Sequence, residues 1–514
     1  MPASEEARRL LWTAADKLRG SMAVARYKEY LLGLVFLKYL SDAFDERRRE
    51  IVEELAEEGL DADQRAGFLE DKDEYIGYHT CWVPETARWS AIAARTGSEE
   101  IGQFLDDAVG AVMRENPSLA GVLPRIYGQE DVGWRRIAEL VALIGDERFT
   151  GRGAKPAREA MGEVYAGLLD GFSAAEGPRG GDFHTPASVG ELLVGMLEPD
   201  QGLIYDPACG AGGLLVRAAG FATGGRAAGH TGLQVRGQDR GELAWRLATM
   251  NLAIHGTDGD LAPADSLGDD RFPGLKADFI LSRPPFNLKN WAPDASDPRW
   301  RFGVPPQSNA NFAWLQHIVA KLGDRATAGV VLAGTSVIGG QGGESGIRRA
   351  LIESDLVACL VALPPNLFRS TSIPTFLWIL DTDKSPRGTG ALEDRRGQIL
   401  FVDAAGMGTG AGRGGRVLTD DDIAEVVGTY RAWRGRASAG DRRYADVPGF
   451  CGSAGLAAVR DADHVLLPAR YIAEAGVEST ADRIGRLTEE LYALFDRADE
   501  LTGAVRAQLR RIDG

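Results

Sequence analysis

The sequence predicts an α/β fold: a mostly parallel sheet with helices on both faces, preceded by a helical domain and followed by a helical C-terminal tail. Three observations predict it. Long stretches with helical spacing of apolar residues fill residues 1–150. Beyond Gly177-Pro178-Arg179-Gly180-Gly181, short apolar runs alternate with helical stretches, the βαβ texture of a parallel sheet. Acidic and glycine-rich turns stand directly after several of those runs, where sheets of this kind hold ligands.

In the helical part, Ser4 is placed to cap a first helix, with Glu5 and Glu6 in the turn where carboxylates oppose the helix dipole. Tyr27, Leu31, Val35 and Tyr39, with Leu32, Phe36, Leu40 and Phe44, form one wide apolar stripe. This stripe reads as the core face of a helical bundle, with a docking face for another subunit as the minority reading. The charged stretch from Asp45 to Glu58 reads as solvated.

The strands expected are Leu203–Tyr205, Leu233–Val235, Phe279–Leu281, Val330–Leu332, Leu360–Leu363 and Phe376–Leu380. The stretch Gly406 to Gly415 reads as a flexible loop after the last sheet strand, because it lacks the Gly-Lys-Ser/Thr ending of a phosphate-binding loop. Helices are expected over Asp420–Trp433 and Ile484–Leu509. The boundaries that follow are 1–150 for the helical domain, 151–405 for the sheet domain, and 406–514 for a Gly-rich loop and C-terminal helical region that serves subunit assembly.

Composition narrows the function classes. With 514 residues the chain can hold two or three domains, each with its own core. A formal charge of −16 argues against this surface by itself gripping a phosphate backbone, so any nucleic-acid role needs a local basic groove or a partner. Cys81, Cys209, Cys359 and Cys451 lie far apart without metal-ligand spacing, which suggests a reducing cytoplasm. The six histidines are scattered, so no metal site is expected. The start of the chain has no basic-then-apolar signal, and the run Leu31–Leu37 stops at Lys38, too short to span a bilayer. The expected location is cytoplasmic, with no membrane association.

Chemistry concentrates in two motifs. Asp206-Pro207-Ala208-Cys209-Gly210-Ala211-Gly212-Gly213 follows a strand and precedes a helix. Glycine lets the backbone turn sharply and approach a ligand, and an acid at the strand end can accept from a cationic amine or from hydroxyls. A dinucleotide is the usual rival ligand, but the spacing is not Gly-x-Gly-x-x-Gly directly after the strand. Asp239 ends the next strand, at a spacing suited to ribose hydroxyls, and Asp265 stands before another. Each acid alone reads as a cap or turn residue; together they favour a nucleoside pocket. The second motif is Ser282-Arg283-Pro284-Pro285-Phe286.

With these motifs the chain resembles the modification subunits of type I restriction-modification systems, which methylate adenine N6 with S-adenosyl-L-methionine. The resemblance covers nearly the whole chain. It includes Leu34–Asp42, Gly181–Pro186, Trp245–Leu252, Asn311–His317, Ala362–Phe368 and Leu467–Ile472, in order. It implies a Rossmann-like S-adenosylmethionine-dependent methyltransferase core. It also implies double-stranded DNA as substrate, two modification subunits on a DNA-reading specificity subunit, and in some systems a restriction subunit. By the same resemblance, Phe183, His184, Thr185 and Pro186 with Asp206, Pro207, Gly210, Ala211 and Gly212 hold the methionine part of the cofactor. Asp239 binds its ribose and Asp265 its adenine.

The resemblance makes Arg283, Pro284, Pro285 and Phe286 the catalytic, target-base motif, in which Asn or Asp ordinarily stands where Arg283 is. In the family that side chain and the first proline carbonyl accept the two N6 hydrogens of a flipped adenine, and an aromatic stacks on the base. Arg283 has donors only and a permanent charge, which opposes both the sulfonium and the developing positive charge on N6. Methyl transfer is therefore expected to be greatly reduced or absent. The alternative function is a catalytically silent, cofactor-binding scaffold in a DNA-modification or phage-defence complex. Arg283 is expected to pair with an acid such as Asp265 or to occupy the base pocket.

Overall fold

The computed structural model describes residues 24–57, 62–129, 132–145, 157–176, 185–224, 232–338, 343–368, 372–386, 392–411, 415–436 and 443–474, with Thr488, Phe495 and Arg497 as isolated helical positions. Ser4 and almost all of Ile484–Leu509 lie outside the described residues.

The apolar stripe lies on the first helix, α1 (Val24–Glu57), where Leu31, Leu32, Val35 and Phe36 are completely buried. Around it pack α2 (Ile101–Glu115), α3 (Trp134–Gly145) and α4 (Ala157–Glu176), whose Met161, Tyr165, Leu168 and Phe172 join the same core. The stripe is thus core of the helical bundle. The charged end of α1 is mostly exposed, except at Arg47. That guanidinium lies 3.5 Å from the Tyr78 ring centroid and donates to Glu54 at 2.8 Å, so the arginine stem is buried while its charge is matched.

The helices of the sheet region include α5 (Ala187–Leu197), α6 (Gly213–Ala222), α7 (Glu242–Ile254), α8 (Asn311–Lys321) and α9 (Glu344–Glu353). The strands are β1 (Gly202–Asp206), β2 (Leu233–Asp239), β3 (Gly259–Pro263), β4 (Ala277–Ser282), β5 (Leu322–Ala333), β6 (Val357–Ala362), β7 (Thr375–Asp381), β8 (Gln398–Asp403), β9 (Thr409–Gly410), β10 (Arg416–Val417) and β11 (Cys451–Gly455). Nine of them make one sheet in the order β11-β8-β6-β7-β5-β4-β1-β2-β3. Pairing is parallel except where β7 runs against β5 and β6, and β11 against β8.

Alternation along the strands feeds two cores. Leu377 and Ile379 of β7 face a layer with α5 and α6, while Phe376, Trp378 and Leu380 face one with α8 and α9. Every residue of β6 and β7 is buried, as a central strand covered on both faces requires.

Three strands of the nine-stranded sheet lie outside the expected set: β3, β8 and β11. The Gly-rich stretch is also corrected: it precedes β11 rather than following the last strand, and Thr409–Gly410 pairs with Arg416–Val417 as a small antiparallel ribbon. The next helix, α10 (Asp420–Arg434), begins with a capping box in which Asp422 bonds back to Thr419. It packs on α5, and Arg434 forms a fully buried ion pair with Asp381 of β7 at 3.1 Å.

The helical bundle is joined to the sheet through α7. Leu247, Met250 and Ile254 belong to the bundle core, Tyr39 and Tyr165 donate to the carbonyls of Ile254 and Leu247, and Arg246 pairs with Glu29 at 2.6 Å. No described helix is long and apolar enough to cross a membrane.

Candidate functional site

The chain runs outward from β1 to β2 and β3, then crosses to β4 on the other side of β1. A crevice at the carboxyl ends of β1 and β4 follows from that reversal. Asp206 ends β1, Ser282 ends β4 and Arg283 follows it, so both motifs meet there.

Between β1 and α6 the backbone takes left-handed values at Gly210 (φ 54°) and Gly212 (φ 76°). A Cβ at Gly212 would lie 3.2 Å from both Cα and Cβ of Ala248 on α7. Asn251, also on α7, donates to the Ala211 carbonyl at 2.9 Å, which fixes the loop against that helix. Gly212→Ala is therefore expected to cost about 1–2 kcal/mol from strain and crowding, read as a lower unfolding midpoint, and to open the loop.

Asp206 is almost fully buried and accepts from Ser282 Oγ at 2.8 Å and from the Ala208 amide at 3.0 Å. Burial pushes its carboxyl up to about 7, helped by the charge of Asp239; the two hydrogen bonds and the nearby Arg283 hold it from going higher. Asp239 accepts from Gly210 N at 3.0 Å and Gly241 N at 2.8 Å, so the acid ending β2 braces the loop after β1. Burial raises its pKa too. Each Asp239 oxygen takes one of these amides, and a carboxylate oxygen has capacity for another donor.

Asp265 follows β3, with its side chain receiving Leu267 N at 3.0 Å. Its loop is tied to the first motif by Ser266 Oγ, which donates to the Pro207 carbonyl at 2.6 Å. Fully buried Gln238 donates to the carbonyls of Ala264 and Asp269, and Arg299 to those of Ser266 and Leu267.

A cavity at the glycine loop is lined by Thr185, Asp206, Gly210, Ala211 and Arg283 among others. Asp239 is tied to it by its bond from the lining Gly210, while Asp265 is not among the lining residues. Pro186 begins α5, its carbonyl accepting from the amides of Val189 and Gly190. Phe183 and His184 lie outside the described residues.

Arg283 is 6% exposed. Its guanidinium carbon lies 5.5 Å from the Phe286 ring centroid and 5.9 Å from that of Phe368, and the two rings meet edge to face at 5.5 Å. The guanidinium thus lies among aromatic rings, and the acids that feel its charge include Asp206 and Asp239. Pro284 is buried beside it, and Pro285 and Phe286 are half-buried.

Reasoning from sequence missed several of these side chains. Ser282, which the motif gives no role of its own, bonds Asp206. Phe368 and Asn251 sit inside recognisable blocks but have no signal of their own, because their partners lie far away in the chain. Gln238 has none at all.

Comparison with known proteins completes the picture. Residues 156–480 match the N-6 DNA Methylase family, and residues 7–143 match the HsdM N-terminal domain. The chain is 37% identical over 457 residues to the type I restriction enzyme HindI methylase subunit of Haemophilus influenzae, covering 83% of this chain and 99% of that one.

The chain belongs to the methylase subunits of type I restriction enzymes.

A second relative in this family, the MjaIX methylase subunit of Methanocaldococcus jannaschii, is 33% identical over 518 residues, covering 96% of this chain and 89% of that one. The fold agrees with a solved type I methyltransferase subunit from Streptococcus thermophilus, with a TM-score of 0.72 at 24% identity, covering 91% of this chain and 99% of that one. By family, this type I modification subunit is an adenine-specific N6 DNA methyltransferase.

Proposed function

We propose that this chain binds S-adenosylmethionine at the Asp206–Gly212 loop, works on double-stranded DNA together with a specificity subunit and a second modification subunit, and has adenine N6 transfer strongly suppressed by Arg283. In some assemblies of this kind a restriction subunit joins them. The observation that carries the proposal is the buried Arg283 guanidinium above Phe286 and Phe368. The cofactor supplies an electrophilic methyl on a sulfonium centre. The protein's part is to hold it and present the base.

The residues fit that group. The tight approach of Gly212 to Ala248 seats the loop on α7, and Gly210 and Ala211 line the cavity beside it. Asp206 offers a carboxylate for an ammonium and Asp239 one for hydroxyls. At the base position the fit fails. A flipped adenine presents a donor amine, and Arg283 meets it with donors and charge. The same observation favours the second reading, a scaffold that binds cofactor and partners and methylates nothing.

Sequencing of N6-methyladenine in the source genome tests this. Deleting the gene alone is expected to leave the methylation pattern unchanged. Loss of a bipartite methylated motif both on deletion and with Asp206→Ala would establish a competent methylase and sink the suppression. Loss on deletion alone would favour the scaffold.

Asp206 also predicts a pH dependence. With its carboxyl raised to about 7, the apo chain gains stability from this group below the unfolded value of 3.8 and loses it as pH rises through 7. Binding a cationic amine has the opposite sign, because it needs the ionised form. Cofactor affinity is expected to fall roughly tenfold per pH unit below 7 and to level off above it. Calorimetric titration between pH 6 and 8 checks this, and a flat profile would remove Asp206 as the ammonium ligand.

A further inference from the structure

Three side chains from separate segments meet just past the target-base motif. Asn287 follows Phe286 and takes a left-handed backbone, φ 52°. Asn311 is the first residue of α8, in the crossover from β4 to β5, and is completely buried. Thr335 stands two residues beyond β5 and is exposed.

They close a ring of hydrogen bonds. The Asn287 amide N–H donates to Asn311 Oδ1 at 3.1 Å, and Asn311 Nδ2 donates back to Asn287 Oδ1 at 2.9 Å and to Thr335 Oγ1 at 3.2 Å. The Thr335 hydroxyl gives its one proton to Asn287 Oδ1, at 2.8 Å. The backbone N–H settles which end of the Asn311 side chain is oxygen, because an N–H needs an acceptor; the Asn311 nitrogen then faces Asn287 and Thr335 with both protons used. Asparagine is one of the few residues that enter the left-handed region readily, and here its side-chain oxygen gains two donors by doing so. Beyond the turn, the Ala310 amide donates to the Leu288 carbonyl at 3.0 Å. Phe286 is thus fixed at two points: its ring lies edge to face on Phe368, and its outgoing backbone is tied through Asn287.

We infer that Asn311 and Thr335 are positioning residues for the target base: they hold Asn287 in its left-handed turn and so keep the Phe286 ring where a flipped base stacks. This role rests on the reading of Phe286 as the base-stacking residue. The bonding is asymmetric, which gives the role a signature. Asn287 uses only its side-chain oxygen in the ring, so Asn287→Asp keeps both bonds, whereas Asn311→Asp replaces the donor nitrogen with an oxygen that repels Asn287 Oδ1.

The test measures the affinity of the full chain, assembled with its specificity subunit, for two cognate duplexes, one with an unpaired adenine at the target position and one with an abasic site there. Neither has a base pair to open at that position, so the ratio of affinities reports what the adenine gains in its pocket. The reference is Arg283→Asn, in which the cation is gone. It is expected to favour the adenine duplex roughly 5- to 100-fold, the worth of one base–aromatic stack, and Phe286→Ala added to it should bring the ratio near one. In the same background Asn311→Asp should also bring the ratio near one, Thr335→Val should lower it in part, and Asn287→Asp should leave it unchanged. Affinity for the abasic duplex equal to the reference shows that each variant is folded and assembled, since a merely structural defect weakens both duplexes alike. If Asn311→Asp fails to fold, Thr335→Val decides, because its side chain is exposed.

An unchanged ratio with Thr335→Val, equal weakening of both duplexes by it, or a loss with Asn287→Asp as large as with Asn311→Asp overturns the positioning role and leaves the base reading intact. A ratio of one for the Arg283→Asn reference, or a ratio that Phe286→Ala does not move, overturns both.

Discussion

Arg283→Asn is expected to raise N6-adenine methylation of a cognate duplex by the complex with its specificity subunit by about 10²- to 10³-fold, the usual worth of one preorganised hydrogen-bonding group in a transition state. Two effects act together. The substitution supplies an acceptor for N6, and it removes a buried cation from beside the Phe286 ring, where we propose that the base stacks. Because the Arg283 charge also helps to keep the Asp206 carboxyl from rising further, the pH midpoint for cofactor binding should move upward in the same variant. Initial rates with tritiated cofactor measure the first effect and titration across pH the second. Equal or lower activity in Arg283→Asn would remove this arginine as the cause of suppression. An upward midpoint without a rate gain would place its influence on the cofactor side alone.

Asp206→Ala is expected to abolish measurable cofactor binding, a loss of roughly 100-fold or more from a buried, charge-assisted contact. The neighbours should suffer less than the ligand. Ser282 loses its acceptor, while the cost of burying a carboxylate disappears, so thermal stability near pH 8 should change little. Asp206→Asn keeps the shape without the charge and separates the two contributions. If Asp206→Asn binds the cofactor as tightly as wild type, the ammonium contact is absent, and the carboxylate serves only to hold Ser282 and the Ala208 amide.

The antiparallel β7 shows why topology was harder to read than strand content. Its residues Phe376 to Leu380 form an apolar run like those of β5 and β6, and a strand buried on both faces looks the same whichever way it runs. Strands β3 and β11 gave no run to find: Gly259-Asp260-Leu261-Ala262-Pro263 and Cys451-Gly452-Ser453-Ala454-Gly455 are poor in β-branched and aromatic residues and lie at the two edges. A reading that ends the sheet at Leu380 also leaves out β8, although Ile399-Leu400-Phe401-Val402 is a run of the ordinary kind.

By itself the sequence determined the fold class, the positions of Asp206, Asp239 and Arg283 relative to their strands, and the chemical conflict between an arginine and a base amine. Those follow from short-range pattern and from what each side chain can donate or accept. Only the tertiary structure decided that Ser282 serves Asp206, that Asp239 braces the loop of the neighbouring strand, and that Phe368 closes over Arg283. Each of these pairs comes from segments distant in the chain, brought together by parallel strand order and helix packing. Local patterns contain no record of such contacts, because the partner that completes each one is chosen by the fold.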